Sequence, residues 1–277
     1  MGERSILLTN DDGIDSPGLW AAAEALSGIG RVTVVAPREQ HTCAGRSMPR
    51  GSDGTVQARR VTVKGKTHLC YAVGGTPGQA VRHGIFELLE RKPDLVVSGI
   101  NYGENVGTCV SISGTVGAAV EGAALGVPGV AVSLQTEEAH HFTHSPEVDF
   151  SAAAHFTRLS VELFLGMKRF EDVDILKVEV PSEATPDTPW VVTRVARQYY
   201  YYPVRPARAK LEDPARFAHR IVYDERTLEP DTDIYALRVK RWVSMSPLSI
   251  DMTSRVDLGE LERRMRGAPG DEDSRGE

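Results

Sequence analysis

The sequence predicts an α/β fold, a mostly parallel sheet with helices on both faces. Three observations carry this. Short, largely apolar runs recur at residues 6–8, 32–36, 95–97 and 130–134, as expected of strands buried on both faces. Most are separated by helical patterns rather than by two-residue turns. The polar segments 10–13, 38–47 and 98–115 each follow a strand, at the carboxyl ends where such sheets bind ligands. The 277 residues are 41% hydrophobic and 25% charged, which excludes wholesale disorder. A net charge of −6 argues against a chain built mainly to bind nucleic acid. Cys43, Cys70 and Cys109 include no CxxC pair, which disfavours a disulfide framework or zinc ribbon and fits a reducing, cytoplasmic setting. No apolar run approaches the roughly 18–20 residues of a membrane span, and Met1-Gly2-Glu3-Arg4 leads straight into a strand, so no secretory signal is expected.

The elements follow in order. Residues 5–9 read as a buried strand. Ser16-Pro17 reads as a helix cap with proline at the first helical position, and Trp20, Ala23 and Leu26 mark the buried face. Residues 32–36 are a strand closed by Pro37, 38–58 a loop or flap, and 59–73 one or two strands. Thr76-Pro77 repeats the cap signal before a helix bearing Val81, Ile85, Leu88 and Leu89. A third core strand covers 95–98. A small-residue helix covers about 115–125, ended by Gly126 and Pro128, and a strand at 130–134 follows. A helix at about 151–165 and a strand at about 174–180 continue the pattern. Residues 190–202 and 234–246 read as longer exposed strands, and 266–277, poor in large apolar residues, as a disordered tail. One domain over 1–265 is expected, with its core to about residue 190 and oligomerisation elements beyond.

Three constellations carry chemistry. Asp11 and Asp12 stand directly after the first strand. Asn-Asp-Asp-Gly is also good turn chemistry, and on the residues alone both readings stay open. Two carboxylates about 4 Å apart repel by roughly 4 kcal/mol at an effective dielectric near 20. A divalent cation relieves that repulsion, and oxygen donors without nearby histidine suit magnesium or manganese rather than zinc. Asn101, in Ser98-Gly99-Ile100-Asn101-Tyr102-Gly103, offers a neutral oxygen, or is a self-bonded asparagine in a glycine-rich turn. Ser113, Gly114 and Thr115 open a helix, where hydroxyls and free N–H groups make an anion site or simply a cap. There is no Walker A sequence and no G-x-G-x-x-G after a strand, which disfavours nucleoside triphosphates and dinucleotides. The four tyrosines 199–202 can stack bases, but an aromatic-faced β-hairpin is the expectation. His140, His141 and His144 are expected in a solvated loop.

Together these segments resemble the SurE family of survival phosphatases, the 5′/3′-nucleotidases. The resemblance rests on Ile6-Leu7-Leu8-Thr9-Asn10-Asp11-Asp12-Gly13 with Ser16-Pro17-Gly18, on Val34-Val35-Ala36-Pro37, and on Gly75-Thr76-Pro77. It continues with Pro93-Asp94 to Gly103, Asn105, Gly107, Ser113-Gly114-Thr115-Val116, Ala118 to Gly122, and the late Ser246-Pro247-Leu248 with Asp251. It implies a Rossmann-like core, one divalent metal ion per subunit (magnesium or manganese), and hydrolysis of nucleoside 5′- or 3′-monophosphates. It also implies a homodimer or homotetramer that exchanges C-terminal elements. The family's metal ligands fall on Asp11, Asp12 and Asn101. A fourth, usually serine in Ser-Gly-x-Ser-x-Ser, falls by spacing on Thr42. Two departures stand out: Cys43 replaces the glycine of that stretch, and Gln79 replaces the acid of Thr-Pro-x-Asp.

The expected activity is therefore a metal-dependent phosphomonoesterase. Asp11 and Asp12 are the catalytic carboxylates, with Asn10, Asn101, Ser113, Gly114 and Thr115 toward substrate and phosphate. A nucleoside hydrolase would also set an N-terminal Asp cluster on a metal, but its usual spacing there, Asp-x-Asp followed by a further Asp pair, is absent. A non-catalytic nucleotide-binding protein would use the same sheet edge and have little need of the Asp pair.

Overall fold

The computed structural model describes residues 3–63 and 65–267, leaving out the side chain of Lys66. Residues 268–277, most of the expected tail, lie outside the described residues.

Strand β1, Ser5–Thr9, is buried throughout. Ile6 and Leu8 join one apolar cluster and Leu7 another, so the strand is covered on both faces. Helix α1, Pro17–Leu26, starts with proline in its first turn as expected, although Ser16 makes no side-chain cap. Strand β2, Arg31–Pro37, returns beside β1. Strands β3, Val56–Val63, and β4, Lys66–Val73, form an antiparallel pair. Helix α2, Pro77–His83, runs on into a wide turn, Gly84–Leu88. Strand β5 is Leu95–Tyr102, α3 is Gly114–Ala124 and β6 is Gly129–Leu134. Helix α4, Ser151–Gly166, leads to β7, Ile175–Val180.

The nine strands of the main sheet run β3-β4-β2-β1-β5-β6-β7-β11-β8, where β8 is Trp190–Val192 and β11 is Val243–Leu248. The six from β4 to β7 are parallel. Strand β3 pairs antiparallel at one end and β11 at the other, with β8 parallel to β11. Helices α1 and α4 pack on one face, and α2 and α3 on the other. This is the expected α/β architecture. The expected small hairpin is β9, Tyr201–Val204, paired antiparallel with β10, Ala218–Ile221.

Three expectations are corrected. The strand at 95–98 continues to Tyr102, so Asn101 lies in the strand rather than in a turn. Gly99, at φ 129, accommodates the register shift against β6 between Ser98 and Asn101. Residues 190–202 are not one strand, and 235–240 form a wide helical turn, Tyr235–Lys240. Asp233 accounts for the latter, because its buried carboxylate accepts the N–H groups of Ile234 and Ala196 and so fixes the chain's direction there. Finally, β8 and β11 complete the main sheet although both lie at or beyond residue 190, so the sheet extends past the expected edge of the core.

Candidate active site

From β1 the chain crosses to β2 on one side, while β5 arrives on the other. A crevice opens at such a reversal, at the carboxyl ends of the strands. Residues 10–12 leave β1 there, and Asn101 stands beside them at the end of β5, where Thr9 pairs with Ser98.

Asp11 is 6% exposed. Its Oδ1 accepts the Thr115 hydroxyl at 2.6 Å, and the N–H groups of Gly114 and Thr115 also bond to it. The start of α3 is thus seated on Asp11, where the positive end of the helix favours an anion. Only glycine fits at position 114, because a Cβ would stand 2.7 Å from that of Asp11. Burial nonetheless outweighs these bonds and lifts the Asp11 pKa to about 6. Asp12, 2% exposed, accepts Tyr102 N–H at 3.2 Å and the Gln40 amide at 3.0 Å. Burial first, and then the charge of Asp11, push it well above the usual carboxylate range. Among the described residues, no basic side chain pairs with either carboxylate, and no third acidic, histidine or cysteine side chain joins them in a cluster.

Asn101 donates its amide protons to the carbonyls of Gly103 at 2.7 Å and Tyr102 at 3.2 Å. Its amide is therefore satisfied by the backbone just after it, and Oδ1 is the atom left to accept or ligate. Asn10 is fully buried and donates to the Gly13 carbonyl at 2.9 Å, while its Oδ1 has no partner among the described residues. Ser113 caps α3, accepting Val116 N–H at 3.1 Å and keeping its own proton to donate. Thr115 differs from expectation. Its hydroxyl is buried and spent on Asp11, so it orients that carboxylate.

Thr42 is exposed in a turn whose entry is fixed by the His41 N–H on the Asp11 carbonyl at 2.7 Å. Cys43, in place of glycine, keeps a glycine-like backbone at φ 57. Gln79 closes a capping box with Thr76 and also donates to the Pro49 carbonyl at 3.1 Å, which a carboxylate could not do. The histidine loop is not simply solvated. His144 Nε2 donates to the Asp12 carbonyl at 2.8 Å, and His141 packs against Gly103. Gln40, which bridges Asp12 and the His141 carbonyl, carried no signal in the sequence beyond its place in a polar loop. A separate groove of about 1020 Å³, between Trp20, Val61 and His155, takes in none of these residues.

The donor set fits a hard divalent cation. Two buried carboxylates with raised pKa values lie beside a neutral amide oxygen and, among the described residues, lack a basic partner, which is an arrangement that a cation stabilises.

The family model for Survival protein SurE matches residues 6–202. A protein named 5′-nucleotidase SurE from Thermococcus gammatolerans is 43% identical over 268 residues, covering 95% of this chain and 96% of the relative. The protein of the same name from Archaeoglobus fulgidus is 42% identical over 261 residues, covering 93% and 95%. The crystal structure of the SurE protein from Aquifex aeolicus superposes with a TM-score of 0.73 at 30% identity, over 95% of this chain and 99% of that one. With its carboxylate pair at the sheet's reversal point and these likenesses over nearly its whole length, the chain belongs to the SurE family.

Proposed function

We propose that this chain is a metal-dependent 5′-nucleotidase, hydrolysing nucleoside 5′- or 3′-monophosphates to nucleoside and phosphate. The observation that carries the reading is the buried Asp11–Asp12 pair, seated on the start of α3 and lacking a basic partner among the described residues. Asp11, Asp12, Asn101 and Thr42 would hold one magnesium or manganese ion. When bound, the ion neutralises charge and polarises phosphate oxygens. Ser113 donates its hydroxyl proton to a phosphate oxygen, and the absence of a side chain at Gly114 lets the helix start sit close against Asp11. Thr115, Tyr102 and Gln40 hold the carboxylates in place before substrate arrives, so little reorganisation accompanies reaction.

Purified protein given AMP should release phosphate with manganese or magnesium and lose that activity in EDTA, with recovery on adding the metal back. Release of adenine would instead indicate a nucleoside hydrolase. Binding of AMP with no product would indicate a nucleotide-binding protein. Full activity after thorough metal stripping would remove the ion from the mechanism.

The reading includes a homo-oligomer. Helix α5, Leu258–Met265, has no buried residue, and Leu258, Leu261 and Met265 form one exposed apolar stripe. Residues 249–257 before it are also largely exposed. We expect this arm to lie on a second copy of the chain. Light scattering should give a dimer or larger for the full chain, and a smaller species when residues 249–277 are removed after the end of β11. Equal masses for the two would contradict it. Among the described residues no helix is long and apolar enough to cross a membrane.

A further inference from the structure

Glu121 stands two turns into α3, fully buried, and takes no part in the Asp11–Asp12 pair. Arg46 Nε donates to one carboxylate oxygen at 2.6 Å and Arg82 Nε to the other at 2.6 Å. A buried carboxylate left without partners is strongly disfavoured, so both bonds are firmly held. The two arginines come from different places. Arg82 belongs to the last turn of α2, and its bond ties two packed helices together. Arg46 belongs to the loop after β2, and its bond ties that loop to the helix pair.

Further ties lie along the same loop. Gly45 N–H donates to the Ile112 carbonyl at 2.9 Å, and the Thr76 hydroxyl donates to the Ser47 carbonyl at 2.7 Å. The loop backbone lies so close to α3 that a Cβ on Gly117 would meet Arg46 N at 2.7 Å. At its other end the loop is held by His41 on Asp11. Thr42 and Cys43 are the crown between these anchors.

We propose that Glu121 is a positioning residue, seating the loop 41–47 through Arg46 and so holding Thr42 in register with Asp11 without itself touching substrate or cation. The role given to Thr42 rests on the function proposed above, whereas the seating of the loop does not.

The test separates the two. Cys43 rides on the crown of the loop and is exposed, while Cys70 and Cys109 are buried. Labelling of Cys43 by a thiol reagent in the metal-free full-length protein therefore reports the loop alone. In the seated loop Cys43 is held between the His41–Asp11 and Gly45–Ile112 backbone hydrogen bonds, which restricts how a reagent can approach its sulfur. Glu121→Gln should release the loop and speed labelling of Cys43 by about three- to tenfold. Arg46→Ala should do the same while leaving Glu121 paired with Arg82, which guards against a simple folding defect. Arg46→Lys should recover most of the slow rate, and Arg82→Ala should change it by less than about twofold, since the loop bond survives. In the metal-loaded protein, Glu121→Gln should raise the manganese dissociation constant and the AMP KM while kcat at saturating metal stays within about twofold. Unchanged labelling in Glu121→Gln, or equal effects of Arg46→Ala and Arg82→Ala, would overturn the proposal and leave Glu121 as a fastener between helices. Faster labelling with unchanged manganese affinity would uphold the seating and remove Thr42 from the cation site.

Discussion

Asp12→Asn should reduce phosphate release from AMP by about three orders of magnitude or more, and Asp11→Asn by a similar factor. The substitution is nearly isosteric. An asparagine at 12 still offers an oxygen to Tyr102 N–H, and the Gln40 amide can turn to accept from the new NH2 group. At 11 the oxygen that takes the Thr115 hydroxyl is likewise kept. What disappears is one of two buried negative charges that raise each other's free energy in the metal-free protein. Calorimetric titration should accordingly show manganese affinity lost, while the metal-free variants melt at or above the temperature of the metal-free parent. Near-normal turnover in both variants would reduce Asn10-Asp11-Asp12-Gly13 to a turn. A collapsed fold in both would show that the carboxylates hold the structure rather than a cation.

Lys177→Met should cost about 3–5 kcal/mol of stability near pH 8, the largest loss expected of any change away from the site. Lys177 is fully buried on β7, with Asp233 at 3.1 Å and Glu179 at 3.3 Å, both also fully buried. Burial alone would drive the ammonium toward neutrality, but the two carboxylates reverse this and raise its pKa. Glu179, with burial as the main cause, rises to about 7 from an ordinary 4.5. A raised carboxylate contributes stability that is complete below its unfolded pKa and is lost as pH rises through its folded one. For Glu179 that window runs from 4.5 to about 7. Removing Lys177 removes the attraction that lowers the Glu179 pKa, so the deficit of the variant should widen from pH 5 to pH 8. Urea unfolding of both proteins at the two pH values checks this, and a deficit that stays constant or shrinks toward pH 8 would refute it. The same cluster holds the chain beyond Asn101, because Glu179 accepts Asn105 N–H at 2.8 Å and Asp233 accepts Gly107 N–H at 3.1 Å.

Which parts of the molecule were legible in the sequence follows from how local their causes are. Strand β1, the Pro17 and Thr76 helix starts and the small-residue helix α3 announce themselves through continuous apolar runs, caps and glycines within a few residues. That Asp11, Asp12 and Asn101 meet at one edge of the sheet was legible because each falls at or just beyond the carboxyl end of a strand. Thr115 was placed at the right helix start but given a role toward phosphate, since nothing local says that its hydroxyl reaches back to Asp11, far away in the chain. Gln40, His144 and the Lys177 cluster depend on partners more than 50 residues off or on other strands, and no periodicity encodes such meetings. The misread stretch 234–246 has the same origin. Its helical half is set by Asp233, whose position is decided by Lys177 on β7.

The order of strands also bears on how the chain is made. β8 sits outside β11 in the sheet although it precedes it in sequence, and β11 must slot between β7 and β8. While the polypeptide emerges from a ribosome, β8 has no place to pair until residues 243–248 have been synthesised. Until then the outer rim of β7, apart from its charged Lys177 and Glu179 an apolar strand, presents open backbone groups to any passing strand. The late arrival of β11 therefore makes the last part of synthesis the aggregation-prone interval for this protein, when a nascent-chain chaperone would have most to cover.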